Sequence, residues 1–454
     1  MKQVFIKQGR VLVEEVPAPV ADDNHLLVEV AYSLISSGTE SAGVSQSQQS
    51  MVGRALKQPE LVQKLVQKVA QEGIARSWQS IRGQLDSGNP TGYSCSGTVI
   101  QVGKNLQGFQ PGMRVSCAGA ANANHAEIVS VPANLAVTIP ERCDLRDAAS
   151  VALGSIALHG VRQAKPGLGE TVAVIGLGLV GQLTAQLLTL SGVRVIGMDL
   201  VPSRVARARE RGMYAGIEME GDPTDSISQL TAGLGVDATI ITAAHPGSEI
   251  VQQAMLITRK KGRIVVVGDV GLALQRSPFY EKEIEFLISC SYGPGRYDSR
   301  YENQGVDYPV AYVRWTENRN MQEYLKLLAE KRLDFAGLID REFPVHEADK
   351  GFQALQEDHP RPLAVVLSYP KSDEATLATK LKSTIPVSPR ASQKDKIGMA
   401  VIGAGGFARG THLPNLRSLE KFYNTQAIVC RREANARNAA QHFGARLAST
   451  AHGK

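Results

Sequence analysis

Three glycines at fixed spacing carry the clearest chemistry in the chain. Gly176, Gly178 and Gly181 stand in the run "GLGLVG", directly after the apolar stretch "TVAVI", and Gly181 lies within the apolar run "LVGQLTAQLLTL". That order predicts a strand, a tight turn and a helix whose first N–H groups and positive dipole end face an anion. Gly176 permits the turn. Gly178, with Leu179 and Val180 beside it, lets the backbone approach a pyrophosphate, and Gly181 lets the helix lie close on the strand. The next apolar run, "VRVIGMD", ends in Asp199, 18 residues after Gly181. At that spacing a carboxylate reaches ribose hydroxyls, so the pattern predicts a dinucleotide site. Asp199 favours NAD, because a carboxylate repels the 2′-phosphate of NADP. Arg204 in the same loop could stack on adenine or attract that phosphate, which keeps NADP open.

A second glycine set, Gly403, Gly405 and Ala408 in "VIGAGGFARG", follows another apolar run near the end of the chain. Here Arg431 and Arg432 stand where an acid would read the ribose, which tilts this half-site toward NADP or toward no ligand. The 44 residues after Gly410 provide about half of a nucleotide-binding domain.

The elements needed to hold these turns can be read along the chain. Residues 1–150 alternate apolar and polar positions, as half-buried strands do. Within them, 53–85 changes to helical spacing and predicts an inserted amphipathic helical hairpin, for packing, a dimer contact or a lid. Residues 151–290 alternate helices with short apolar strands, the pattern of a parallel sheet covered on both faces. Residues 291–370 return to mixed structure, with a helix near 320–330 and the strand-like "RPLAVVLSYP". Residues 371–395 are polar and contain two prolines, which predicts a linker, and 396–454 forms the second glycine-turn unit.

Composition narrows the functional classes. The formal charge of +6 arises from 50 basic and 44 acidic residues dispersed along the chain, so no nucleic-acid partner is expected. Five cysteines without a C-x-x-C pair argue against a disulfide framework and against a four-cysteine zinc site. The N-terminus has no apolar signal core, and no apolar run reaches ~18 residues, so a cytoplasmic protein with no membrane partner is expected.

"GFQPGMRV" and "HAEIVSVP", in a strand-rich segment ahead of the central glycine turn, resemble segments of the medium-chain dehydrogenase/reductases. The resemblance covers about residues 1–370. It implies an α/β protein with a GroES-like β-rich catalytic domain and a Rossmann doubly wound parallel sheet. It also implies NAD(P)-dependent oxidation or reduction of a small-molecule alcohol or carbonyl, and a homodimer. Zinc-dependent members draw ligands from three places, and this chain departs at all three. "SSGTE" puts Ser37 in the cysteine position, followed by Gly38, Thr39 and Glu40. "TGYSCSG" puts Tyr93 and Ser94 in the His-Glu positions, and the third ligand position falls near Ala152. Such a donor set predicts a zinc-independent member with no metal.

Without a Lewis acid another group must manage the proton. Tyr93, Ser37, Thr39 and Glu40 are the catalytic candidates, with Tyr93 the acid donor or else a buried filler of the vacated ligand pocket. His125 and His159 could relay protons or serve structure. The segment 291–320 is rich in tyrosine and arginine. It predicts a carboxylate, phosphate or sugar-like ligand held by Arg296, Tyr297, Tyr301 and Arg314, or else a tyrosine-rich dimer edge.

The last segment, with "THLPNL" after its glycine turn, resembles the start of Gfo/Idh/MocA oxidoreductases. The whole chain then resembles bacterial bidomain oxidoreductases, with a truncated second Rossmann unit and a sugar-linked or otherwise bulky substrate. The competing reading is an inactive dinucleotide-binding scaffold or redox sensor.

Overall fold

Strand-forming residues sort into four sheets in the computed structural model, which describes residues 1–36, 38, 40, 88–357, 360–388 and 395–451. The helical insertion expected at 53–85 lies outside the described residues, as do Ser37 and Thr39.

The central sheet is built from short runs of β-branched residues. Its six strands, in chain order, are Thr171–Ile175, Arg194–Asp199, Ala215–Glu218, Val236–Ile241, Thr258–Val266 and Glu285–Ile288. They lie in the order 3-2-1-4-5-6, and every ladder is parallel. The order reverses between Thr171–Ile175 and Val236–Ile241, so the chain ends there diverge and leave a crevice at their carboxyl ends. All five residues of Thr171–Ile175 are buried, as expected of a strand covered on both faces.

The β-rich domain supplies a seven-stranded sheet in which His25–Ile35 pairs with Ser94–Val102, Ile128–Pro132 and Ala364–Ser368. Ala364–Ser368 thereby joins the end of 291–370 to the first domain's sheet. A three-stranded sheet of Arg10–Glu15, Lys2–Lys7 and Asn89–Pro90 lies beside it. The two domains are held together by polar contacts at the start of the helix Val151–Ala164. Ser94 Oγ donates to Ala149 O at 2.6 Å, and Tyr324 OH meets Ser150 Oγ at 2.8 Å. Tyr324 also lies on Gly154, where a Cβ would stand 2.2 Å from its ring, so only glycine allows this packing.

The polar segment 371–395 is a correction to the sequence reading. A helix, Glu374–Lys380, begins at Asp373, whose carboxylate accepts from Thr376 N at 2.7 Å. Thr384–Pro386 then joins the last sheet as an antiparallel strand on Leu447–Ser449. Composition concealed this, because the strand's partner lies some 60 residues further on. The rest of that sheet is parallel, in the order Leu447–Ser449, Tyr423–Val429, Ile397–Ile402. This unit rests on the first domain through Arg437 with Glu14, Gln3 with Glu433, and Lys380 with Glu127 at 3.2 Å.

Candidate active site

The first glycine turn is walled in by its neighbours. Gly176 has φ +91°, and a Cβ there would stand 2.7 Å from Ala243 N. A Cβ on Gly181 would stand 1.9 Å from Gly176 O. Gly178, in contrast, has nothing within 4 Å, so the open side of the turn is the side a ligand would approach. The helix Leu179–Leu190 starts at Gly178 with no side-chain cap. Its first N–H groups, on Leu179, Val180 and Gly181, are therefore available to an anion. These residues fit the pyrophosphate of a dinucleotide.

Asp199 ends the second strand, as the spacing predicts, and both of its carboxylate oxygens are engaged by backbone. Its Oδ2 accepts from Leu177 N at 2.6 Å and its Oδ1 from Val201 N at 2.9 Å. The carboxylate therefore clamps the glycine turn to the next loop. Arg204 Nη1 lies 3.7 Å from Asp199 Oδ1, and Arg204 Nε is buried with no partner among the described residues.

The catalytic candidates divide. Glu40 is buried in a saturated network. It accepts from Ser36 N at 2.7 Å, from Thr91 Oγ1, and from His125 Nε2 at 3.0 Å. Burial alone would raise its pKa, but the His125 ring and these bonds outweigh burial and hold it below the usual carboxylate range. His125 is itself fully buried, and its Nδ1 meets Ser33 Oγ at 2.7 Å, which in turn meets Tyr369 OH at 2.9 Å. Glu40 and His125 thus tie the first domain to the return segment. His159 Nε2 lies 3.3 Å from Gln163 Nε2, and burial followed by nearby Arg162 lowers its pKa to about 4. It is therefore neutral at pH 7. Tyr93 is half-buried against the core and near enough to Tyr292 to influence its ionisation.

The segment 291–320 also differs from its reading in part. Arg296 is half-buried, and its Nη1 donates to Glu302 Oε1 at 2.5 Å inside the segment. Its guanidinium lies 4.2 Å from the Tyr297 ring and 5.5 Å from that of Tyr292. Tyr301 is buried and stacks on Tyr308, with centroids 5.2 Å apart. Tyr297 is exposed at φ +67°. Arg314 lies over one ring contact of Trp315 at 3.8 Å, and Arg162 lies at 3.3 Å. Arg314, Trp315 and Tyr301 help to line a cleft of about 540 Å³. The structure therefore separates Arg314, on the cleft, from Arg296, within the fold.

Three members of this region escaped the sequence reading: Glu302, Glu317 and the Arg162–Trp315 contact. An acid directly after Thr316, which caps the helix Glu317–Ala329, reads as ordinary first-turn charge. Only the fold shows that Glu317 points inward.

With this geometry in view, similarities to known proteins can be placed. The family model for zinc-binding dehydrogenase matches residues 180–306. The zinc-type alcohol dehydrogenase-like protein YdjJ of Escherichia coli (strain K12) is 25% identical over 212 residues, 39% of this chain and 60% of that protein. The chain thus spans three-fifths of that relative's length. Sorbitol dehydrogenase of Bacillus subtilis (strain 168) is 24% identical over 268 residues, 51% of this chain and 73% of the relative. Among solved structures, the alcohol dehydrogenase rspB of E. coli CFT073, complexed with NADH, superposes with a TM-score of 0.61 at 17% identity. That match covers 81% of this chain and 99% of the other.

The chain is thus similar, over part of its length, to zinc-binding and alcohol dehydrogenase-like proteins. The sheet order and the position of the glycine turn agree with that statement, and a nicotinamide cofactor fits the turn. These likenesses also raise the question of zinc. Among the described residues no three of His, Cys, Asp and Glu are grouped so that they could hold a metal ion. Ser94 is occupied by Ala149 O and by Ala152 N, at 3.1 Å. Cys95 and Cys117 are buried beside each other, which with burial raises the Cys117 thiol well above its ordinary value. No helix among the described residues is long and apolar enough to cross a membrane.

Proposed function

We propose that this protein is an NAD(P)-dependent oxidoreductase that interconverts an alcohol and a carbonyl without zinc. The observation that carries the reading is the glycine turn at the switch point of the 3-2-1-4-5-6 sheet, closed on every side but that of Gly178. The bound nicotinamide would supply or accept the hydride. The chain's own residues do the rest. Gly178, Leu179 and Val180 cradle the pyrophosphate. Asp199 holds the turn and favours NAD, while the unpartnered Nε of Arg204 suits the NADP alternative.

Tyr93 is the proposed acid donor at the position a zinc ligand would hold, since a phenol can give a proton to an alkoxide where no Lewis acid stabilises it. Ser37, Thr39 and Glu40 are the further catalytic candidates, and Glu40 is held by Ser36 N, Thr91 Oγ1 and His125 Nε2. The polar cleft beside Arg314 suits a hydroxyl-rich or sugar-linked substrate, and sorbitol dehydrogenase is among the relatives. A homodimer through the edge strand Glu285–Ile288, whose Ile288 is exposed, is part of the same proposal. So is the reading of 396–454 as the first part of a second nucleotide-binding unit at Gly403, Gly405 and Ala408.

Turnover across a panel of alcohols, polyols and their carbonyl partners, with both cofactors and with a chelator present, tests the proposal. Turnover unaffected by the chelator supports it. One tightly bound zinc per chain by elemental analysis overturns the metal-free part. NADH binding without turnover of any panel member would favour the scaffold reading.

A further inference from the structure

Arg162 is a half-buried cation without an anion. It stands in the last turn of the helix Val151–Ala164, and its guanidinium lies 3.3 Å from the centroid of the Trp315 ring. Its Nε donates to Asn320 Oδ1 at 2.9 Å, and the buried Asn320 is itself fixed, donating through Nδ2 to Tyr292 O at 2.9 Å. The guanidinium is therefore held in place, yet it has no ion pair among the described residues. A charge withdrawn from water is normally paired. Arg296 and Arg319, in the same region, are paired with Glu302 and Asp307.

Arg314 is a second such cation. It is exposed, its guanidinium lies 3.8 Å from the same indole, and it has no hydrogen bond or ion pair among the described residues. Trp315 thus gathers two guanidiniums that repel one another. Burial lowers the Arg162 pKa to about 10, with Glu323 opposing the shift and Arg314 adding to it, so Arg162 keeps its charge at neutral pH. Arg314 and Trp315 line the cleft of about 540 Å³ together with Lys326 and Glu323. Lys326 Nζ is 3.9 Å from Glu330 Oε1, and both side chains are exposed, so the amine is free to turn to a ligand. Glu323 has no hydrogen bond among the described residues and can accept one from a hydroxyl.

We infer that the cleft at Trp315 binds a small hydroxyl-bearing phosphate monoester, with Arg314 and Lys326 as donors to the phosphate, Arg162 as the charge it neutralises across the indole, and Glu323 as acceptor for a hydroxyl. Arg314 presents a planar fork to two phosphate oxygens, and Lys326 a point charge to the third. A monoester carries about −1.5 to −2 near neutral pH, which suits two unpaired guanidiniums better than the single charge of a carboxylate does. That this molecule is the substrate rests on the oxidoreductase reading above; the anion site does not.

Calorimetric titration with inorganic phosphate at constant ionic strength tests the site. Wild type should bind it, and Arg314→Ala, a change at an exposed side chain, should weaken that binding roughly tenfold or more. Arg162→Gln should weaken it too, and acetate should bind wild type less tightly than phosphate does. Phosphate held at the glycine turn is not touched by either change, so unchanged binding in Arg314→Ala overturns the site. Unchanged binding in Arg162→Gln overturns the part given to that residue, and acetate binding as tightly as phosphate overturns the monoester. Turnover then separates site from substrate. Each alcohol of the panel is compared with its phosphate monoester. The monoester should have a kcat/KM roughly tenfold or more above that of the free alcohol, and Arg314→Ala should erase the difference. Equal use of both by wild type leaves an inorganic-anion site only and overturns the substrate assignment. No turnover of any pair, with phosphate binding still lost in Arg314→Ala, overturns the oxidoreductase reading and leaves the anion site standing.

Discussion

The two glycine turns of this chain look alike in sequence and differ in what surrounds them. Both follow an apolar strand, and both begin with a left-handed glycine, Gly176 at φ +91° and Gly403 at φ +85°. At the first turn, the chain leaving Val236–Ile241 presses Thr242 and Ala243 against the glycines, so Cβ atoms at Gly176 and Gly181 have no room. At the second, nothing lies within 4 Å of a Cβ on Gly403, Gly405 or Gly406. Among the described residues the strand Ile397–Ile402 pairs on one side only, with Tyr423–Val429, and Ile397 and Ile402 are exposed. A glycine motif therefore specifies a turn locally, but a neighbouring strand beyond it decides whether the glycines are sterically required.

The largest expected difference follows directly. Gly181→Ala places a methyl group on a backbone carbonyl that cannot yield, so the cost should reach or exceed the ~3 kcal/mol upper end of ordinary overpacking. Gly405→Ala should change stability by less than about 0.5 kcal/mol, as surface substitutions do. Denaturant unfolding of both variants checks this. Equal losses would show that the second turn is as enclosed as the first.

Next in size is Asp199→Asn. It keeps the side chain's shape, removes its charge and turns one of the two accepting oxygens into an NH2 that cannot accept from Leu177 N or Val201 N, and a hydrogen bond to a charged group contributes roughly 1.5–3 kcal/mol. NADH affinity should fall about tenfold or more, with NADPH gaining relative to NADH because repulsion of its 2′-phosphate is removed. Fluorescence titration of both reduced cofactors reads the shift. Unchanged preference would mean that Asp199 acts only on the turn, through Leu177 and Val201. The second turn has no such acid. Arg431 and Arg432 follow its second strand.

How much of this was legible beforehand depended on the range of the interactions. The glycine turn, Asp199 and the alternation of strands and helices over 151–290 are local patterns, and the structure keeps them where the sequence puts them. The strand Thr384–Pro386 was hidden in a polar stretch because its pairing with Leu447–Ser449 is non-local. Arg296 was read as a ligand-binding cation because its partner, Glu302, becomes visible only when the short helix Ser299–Glu302 folds back on it. Glu40 was read for its chemistry, yet its three hydrogen bonds come from Ser36, Thr91 and His125, two of them distant in sequence.

The smallest effect concerns how the second unit is held. Arg437 pairs with Glu14 in a partly buried setting. Arg437→Ala should cost about 1 kcal/mol and speed proteolytic release of the unit containing 396–451, leaving NADH binding intact. Loss of NADH binding in this variant would join the two regions more tightly than their separate sheets suggest.

The central claim is that the open side of the first turn receives the cofactor pyrophosphate. Gly178→Val tests it most directly, because Gly178 has an allowed backbone for any residue, φ −63° and ψ −174°, and nothing within 4 Å of its Cβ position. The side chain should therefore leave the melting temperature unchanged and fill only the space a ligand needs. NADH titration should show affinity reduced by well over tenfold, while Gly405→Val, tested alongside, should bind as wild type does. A Gly178→Val protein that binds NADH with wild-type affinity would contradict the account.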